Sequence, residues 1–379
     1  MKLCELKDCT GCMACYNACH FDAIKLITDK MGRIVPEIHQ DKCKECGLCA
    51  KACPALNPVQ KNTPQTAYAA YTNNTDDRKT CASGGIATVF SRLFVENGDV
   101  VFGSAFADNQ VQVMMASDDK QLEAFKGSKY VYSFPAYSYR QVKDYLNKGR
   151  KCLFIGTPCQ VAGLKAYLQG RDENLLTVDL ICHGTPPMAY LREHLNDLGL
   201  PENVRVAFRG EKGFNLCAFD ENSKELMSKP HEEDTYFFSF IKGLTYREPC
   251  YSCQFACPER VSDITIGDFW GLSSDALNGY RGRKSVILIN TDKGRDYFEK
   301  TADRITYEKR EVSEAVNGNE QLRKPSRIPA DRTVFERVYV EKGFEEAVKA
   351  TSIYKTISKY RIKNFILHYP KMIKKKLLK

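Results

Sequence analysis

Cys9-Thr10-Gly11-Cys12-Met13-Ala14-Cys15-Tyr16-Asn17-Ala18-Cys19 and Cys43-Lys44-Glu45-Cys46-Gly47-Leu48-Cys49-Ala50-Lys51-Ala52-Cys53-Pro54 repeat one spacing, C-x2-C-x2-C-x3-C, within the first sixty residues. Three thiolates separated by two residues wrap a tight loop around one face of an iron–sulfur cubane, with the loop amides pointing at its sulfides. The fourth sits on the following turn and reaches across to the other cluster. The spacing therefore assigns Cys9, Cys12, Cys15 and Cys53 to one [4Fe–4S] cluster and Cys43, Cys46, Cys49 and Cys19 to a second. Two zinc sites are the competing reading, but zinc cysteines come as separated C-x2-C pairs and not four in a row. His20 stands where the first run would usually carry proline, and Cys4 lies outside the pattern and reads as a plain thiol. Between the runs, Ala23–Ile27 and Ile34–Ile38 read as two short strands joined by a turn over Asp29–Gly32.

The whole arrangement resembles the two-cluster bacterial ferredoxins, with Pro54–Thr66, polar and proline-rich, leaving it as a connecting segment. Outward from there, 379 residues suggest about two or three domains. No run approaches the ~18 apolar residues of a membrane span. Met1–Asp8 has no apolar core for a signal peptide, so export is not expected and a cytoplasmic location is. Seventeen cysteines in such a chain point to metal or redox chemistry and not to a disulfide scaffold. The formal net charge of +9 is concentrated in residues 351–379, which hold nine Lys and Arg and no acid. The body is formally neutral, and nucleic acid is not an expected partner.

From Ala67 onward strands alternate with helices. Tyr68–Tyr71 reads as a strand, Ser83-Gly84-Gly85 opens a helix from Ile86 to Glu96, and Val100–Gly103 is the next strand. Cys152–Ile155 is a buried strand ending in the loop Gly156-Thr157-Pro158-Cys159-Gln160, with a helix expected from Val161 to Leu168. Leu176–Ile181 repeats the plan and ends in Cys182-His183-Gly184-Thr185. Cys159 and Cys182 thus share the place where open α/β sheets bind ligands, past the C-terminal ends of strands. With Cys250, Cys253 and Cys257 they give five candidates for a third cluster, the alternative being buried thiols. No three cysteines have the C-x3-C-x2-C run of radical SAM chemistry, and no helix follows Cys253 as thioredoxin-like exchange requires. Ser83-Gly84-Gly85 at a helix start is a phosphate site or only a cap. Lys129 offers charge from a loop, and His183 could donate a proton to a reduced product.

These segments together resemble the coenzyme F420 hydrogenase/dehydrogenase beta-subunit family. The resemblance rests on Cys81–Gly85, Gly127–Tyr130, Gly156–Gln160, Asp179–Gly184, Phe208–Phe214, Cys250–Cys253 and Ser262–Gly271, in that order, over about residues 1–330. It implies FAD on the α/β domain, with Ser83, Gly84, Gly85, Lys129, Gly156, Thr157 and Pro158 as flavin contacts. It also implies a third [4Fe–4S] cluster on Cys159, Cys182, Cys250 and Cys253, with Cys257 less secure. The substrate does not carry over, because members of the family act on different acceptors.

The expected fold is α+β and α/β: a two-cluster ferredoxin-like module at 1–60, a linker at 61–66, a larger α/β flavin-binding domain at 67–330 and a basic helical extension at 331–379. The expected function is an iron–sulfur flavoprotein oxidoreductase relaying electrons between a ferredoxin or other redox protein, its clusters, FAD and a small molecule. An electron-transfer subunit without its own substrate, and an iron–sulfur sensor or assembly factor, are the alternatives. In the tail, Ile353, Ile357, Ile362, Phe365, Ile366, Tyr369, Met372, Ile373, Leu377 and Leu378 interleave with the bases. This reads as an amphipathic helix interrupted at Pro370, suited to an anionic membrane at the inner face or to an acidic partner.

Overall fold

The structure, a computed structural model, describes residues 3–107, 109–209 and 213–377, the last ten as backbone alone. Gly210–Lys212 of the Phe208–Phe214 motif and Leu378 of the tail lie outside the described residues. Strands β1 (Ile24–Thr28) and β2 (Ile34–Ile38) pair antiparallel, Ile24 opposite Ile38. Their turn is fixed by Asp29, whose Oδ1 accepts from the amides of Met31 and Arg33 at 2.9 Å each.

The larger part of the chain is built on β3 (Thr66–Thr72), β4 (Val100–Ala107), β5 (Gln110–Ala116), β6 (Cys152–Gly156), β7 (Leu175–Leu180), β8 (Arg205–Ala207), β9 (Asn215–Phe219), β10 (Glu225–Pro230), β11 (Ile264–Asp268), β12 (Ser285–Ile289) and β13 (Ile305–Arg310). Eight of these form one sheet in the order β13-β3-β12-β11-β7-β6-β4-β5, and β8–β10 form a small antiparallel sheet of their own. The strands β4, β6, β7 and β11 are parallel neighbours. The flanking strands are antiparallel, so the sheet is mixed. The expected strand at Val100–Gly103 runs on to Ala107 and folds back into β5, which sequence reading missed. The helix expected from Val161 begins at Pro158, because proline suits a first helical position and Thr157 with Gln160 forms a capping box in front of it.

Successive residues of the buried parallel strands face opposite layers. Val101, Leu153, Val178 and Ile266 pack against Ile86, Val89 and Phe90 of the helix Ile86–Glu96. Val100, Phe102 and Phe154 pack against Val161 and Leu164 of the helix Pro158–Leu168. Ala14, Ala18 and Ala52 of the cysteine-rich module belong to this second layer, so the module and the sheet share one core. A third core gathers Tyr190, Phe237, Phe335, Phe344, Ile353 and Ile357. The segment after Pro54 is bonded down: Asn62 and Arg260 exchange backbone hydrogen bonds of 2.7 and 2.8 Å, and the Gln65 amide donates to Ile289 at 2.7 Å.

The final helix spans Ser352–Leu377 and continues across Pro370, where the expected interruption does not occur. An interior proline removes one amide donor and crowds the preceding turn, yet the helix runs on to Leu377. Ile353 and Ile357 are buried, whereas Ile362 and Ile366 are exposed. None of the described helices is long and apolar enough to cross a membrane.

Candidate functional site

The two cysteine runs fold alike. Gly11 (φ 73°) and Met13 (φ 60°) in the first correspond to Glu45 (φ 52°) and Gly47 (φ 78°) in the second. These left-handed residues turn each loop tightly before the short helices Ala14–Ala18 and Leu48–Lys51. Left-handed Met13 and Glu45 each cost on the order of 1 kcal/mol, a strain typical of sites that hold a ligand. Cys9, Cys12, Cys15 and Cys53 line one cavity. Cys19, Cys43, Cys46 and Cys49 line another. Cys12, Cys49 and Cys53 are buried, and Cys46 is exposed. Among the described residues no three His, Cys, Asp or Glu side chains converge on a single ion-sized point. Four cysteines of the two runs line each hollow, a thiol-rich donor set that fits a multi-atom iron–sulfur cluster. Cys4, read from sequence as a plain thiol outside the pattern, lines the first cavity and hydrogen-bonds with Cys9 and Cys53, which holds both of those thiols below their usual range.

Cys159 and Cys182 meet because β6 and β7 are parallel and in register. Gly156 lies opposite Asp179, and each cysteine follows three residues later. Cys159 lies in the first turn of a helix and not in the loop expected for it, and its Sγ is 3.2 Å from Thr157 Oγ1. Cys250 and Cys253 arrive on the turn Glu248–Ser252, whose approach is fixed by the Arg247 amide donating to Thr185 at 3.1 Å. Gly184 (φ 141°) permits this, since a Cβ there would stand 2.5 Å from the Tyr246 ring. Burial first, then the charge of the neighbouring sulfurs, pushes the Cys182 thiol well up, and the same forces act on Cys250 and Cys253. Crowded, buried thiols of this kind become thiolates only against a cationic centre, so the donor set fits an iron–sulfur cluster. Cys257 stands apart, its Sγ 3.2 Å from Lys61 Nζ.

A cavity of about 280 Å³ opens at the C-terminal edge of the parallel strands, with Ser83, Gly85, Lys129, Thr157, Cys182 and His183 in its wall. Gly84, Gly156 and Pro158, expected as flavin contacts, are not in that wall. Gly84 instead lets the helix meet the sheet: a Cβ there would lie 2.4 Å from the Ala70 carbonyl oxygen. Lys129, in the wall, is held by its own loop. Its Nζ donates to the carbonyls of Ala124, Phe125 and Lys126 at 2.9–3.0 Å, and burial pushes the amine down to about 7. His183 is exposed at the rim and holds Ser326 through its backbone carbonyl, at 2.8 Å. Among the wall residues not singled out from sequence are Thr10 and Trp270. Thr10 lines both this cavity and the one at Cys9. Its position inside the first cysteine loop was the available signal. Trp270 is the lone tryptophan of the chain and is 48% exposed.

The dinucleotide fit rests on backbone. The helix Ile86–Glu96 begins at Gly85 (φ 80°) without a side-chain cap, leaving first-turn amides for an anion at the wall. Gly127 (φ 80°) has open space where a Cβ would be.

Residues 149–315 match the family described as the C-terminal part of the beta subunit in coenzyme F420 hydrogenase/dehydrogenase. Residues 8–57 match the 4Fe-4S dicluster domain. Among solved structures, a chain of the F420-reducing [NiFe] hydrogenase complex from Methanosarcina barkeri is similar at 17% identity and a TM-score of 0.45, over 76% of this chain and 91% of that one. A comparison with curated proteins finds no match. Cluster-binding loops joined to such a domain define an iron–sulfur electron-transfer protein of the oxidoreductase class. The chain thus joins a 4Fe-4S dicluster domain to a region similar to the C-terminal part of the coenzyme F420 hydrogenase/dehydrogenase beta subunit.

Proposed function

We propose that the chain is an iron–sulfur flavoprotein that moves electrons between a ferredoxin-type protein and a small molecule at the large cavity. The observation that carries this reading is the shared wall: Thr10 of the first cysteine loop, Cys159 and Cys182 all border the cavity. Cys9, Cys12, Cys15 and Cys53 would hold one cluster and Cys19, Cys43, Cys46 and Cys49 a second. Cys159, Cys182, Cys250 and Cys253 would hold a third. Ser83, Gly85, Thr157 and the first amides of the helix Ile86–Glu96 would hold FAD. When bound, the clusters supply one-electron transfer and the flavin supplies two-electron chemistry at carbon or nitrogen. The chain's own part is to fix these groups, to bury Cys12 and Cys53 from water, and to offer the Trp270 ring to a flat substrate at the rim.

Anaerobically purified protein is expected to contain about twelve irons and one FAD per chain. Fully iron-loaded protein without flavin would overturn the flavoprotein reading and leave an electron carrier. That second reading is favoured by one observation, the match to a beta-subunit family. A stable hetero-oligomer whose free chain shows no turnover would establish it. For the tail we propose contact with an anionic membrane, supported by exposed Ile362 and Ile366 among Lys355, Lys359 and Lys363. The full chain should sediment with anionic liposomes at least several-fold more than one ending at residue 361, which keeps the buried Ile353 and Ile357. Equal sedimentation refutes the contact.

A further inference from the structure

Arg247 is among the largest fully buried side chains of the protein, 1% exposed, and has no carboxylate partner among the described residues. Its Nε has no hydrogen-bond partner, and Nη1 and Nη2 reach only the Ile34 carbonyl, at 3.5 and 3.4 Å. Those lengths are poor for a charged donor. The guanidinium lies 4.9 Å from the centre of the Tyr132 ring, and the Tyr132 hydroxyl donates to the Gly11 carbonyl at 2.7 Å. Gly11 is required here, since a Cβ would come within 2.9 Å of Nη2. The charge therefore sits directly behind the loop that carries Cys9 and Cys12. On its other side, the Arg247 carbonyl accepts from the Cys250 amide at 3.0 Å, and the guanidinium charge acts on Cys159 and Cys250 as it does on Cys9.

A guanidinium stays protonated in any protein interior, and removing it from water without an anion is strongly unfavourable. A buried, unpaired arginine therefore calls for a negative group. A [4Fe–4S] cluster on four thiolates is such a group, and it gains one further negative charge on reduction.

We propose that Arg247 is a counter-charge shared by two clusters, the one on Cys9, Cys12, Cys15 and Cys53 and the one on Cys159, Cys182, Cys250 and Cys253. It is a positioning residue that stabilises the reduced form of both. The second half of this inference rests on the third cluster proposed above. Nothing in the cysteine spacing points to it, because Arg247 lies more than two hundred residues from Cys9.

The test is a redox titration of the anaerobic holoprotein followed by low-temperature paramagnetic resonance, with iron content measured on the same samples. Arg247→Gln should retain its iron and lower the reduced-to-oxidised ratio of both clusters at least tenfold at fixed potential, about 59 mV for one electron. Arg247→Lys keeps the charge and should stay within about threefold of the parent. Arg247→Met fills the slot without charge and replaces the glutamine variant if that one does not assemble. Unchanged potentials at both clusters in an iron-replete Gln or Met variant overturn the proposal. Eight irons in the parent protein overturn the third cluster and the sharing with it. The potential of the Cys9 set then decides the role of Arg247 alone.

Discussion

Cys19→Ala is expected to destroy the cluster on Cys43, Cys46 and Cys49 while leaving the one on Cys9, Cys12 and Cys15 in place. Cys19 belongs to the first run by sequence, yet it lines the cavity of the second, and Cys53 does the converse. Each single variant should lose about four irons of the eight held by this module. Cys19→Ala combined with Cys46→Ala should lose no more than either alone, because both changes fall on one cluster. Cys19→Ala combined with Cys53→Ala should lose about eight. Iron assay with spin quantitation reads these outcomes, and a loss of eight from the Cys19/Cys46 pair would refute the crossed ligation. The Cys53 variant is best made also with Cys4→Ala, because the Cys4 thiol already hydrogen-bonds with Cys53 and Cys9 and is placed to substitute as a ligand.

The second large effect is on stability and its pH dependence. His194 is buried on the helix Met188–Asp197, its Nε2 2.8 Å from Asp234 Oδ2 and its Nδ1 2.5 Å from Glu345 Oε1. Burial alone would lower its pKa. The two carboxylates override this and hold it at about 9, and its positive charge in turn holds Asp234 and Glu345 below the usual carboxylate range. The imidazolium therefore contributes fully below the unfolded value of about 6.5, and its contribution fades as pH rises through about 9. The shift amounts to on the order of 3 kcal/mol. The carboxylates act in the opposite sense, and their contribution is lost as pH falls through their depressed values. The thermal stability of the parent should thus fall from pH 6.5 to pH 9. His194→Gln should unfold markedly earlier at pH 6.5, because buried Asp234 and half-buried Glu345 then face each other without a cation. It should also lose most of that pH dependence. Parallel curves for the two proteins across this window would refute the charged triad.

How much of this was legible in the sequence depends on the range of each contact. The cysteine loops are local, and their spacing alone carries the ligand sets proposed for them. Cys159 and Cys182 were suggestive because each follows a strand by the same offset, although their adjacency needed β6 and β7 to be neighbours. Ser83-Gly84-Gly85 was ambiguous for a physical reason: a glycine that bares its amide to a ligand and one that lets a helix touch a sheet look the same in sequence, and Gly84 is of the second kind. The engagement of Lys129 with three carbonyls, the guanidinium of Arg247 and the burial of His194 have no periodic signature. The small sheet β8–β10 was missed because β8 has only three residues, β10 has no buried position, and the buried run of β9 is only Leu216–Ala218.

The fastening of the cysteine-rich module has a consequence for how current would move through the chain. Besides the exchange between Asn62 and Arg260, Arg140 Nη2 donates to the Cys19 carbonyl at 2.5 Å, Asn17 Nδ2 donates to the Ala136 carbonyl at 2.8 Å, and Tyr132 reaches Gly11. A courier domain on a tether must detach, swing and redock for every electron, at a pace set by diffusion. Here the module is bolted to the body on both sides of its loops, so the chain is built as a fixed conductor whose throughput is set by distance and potential.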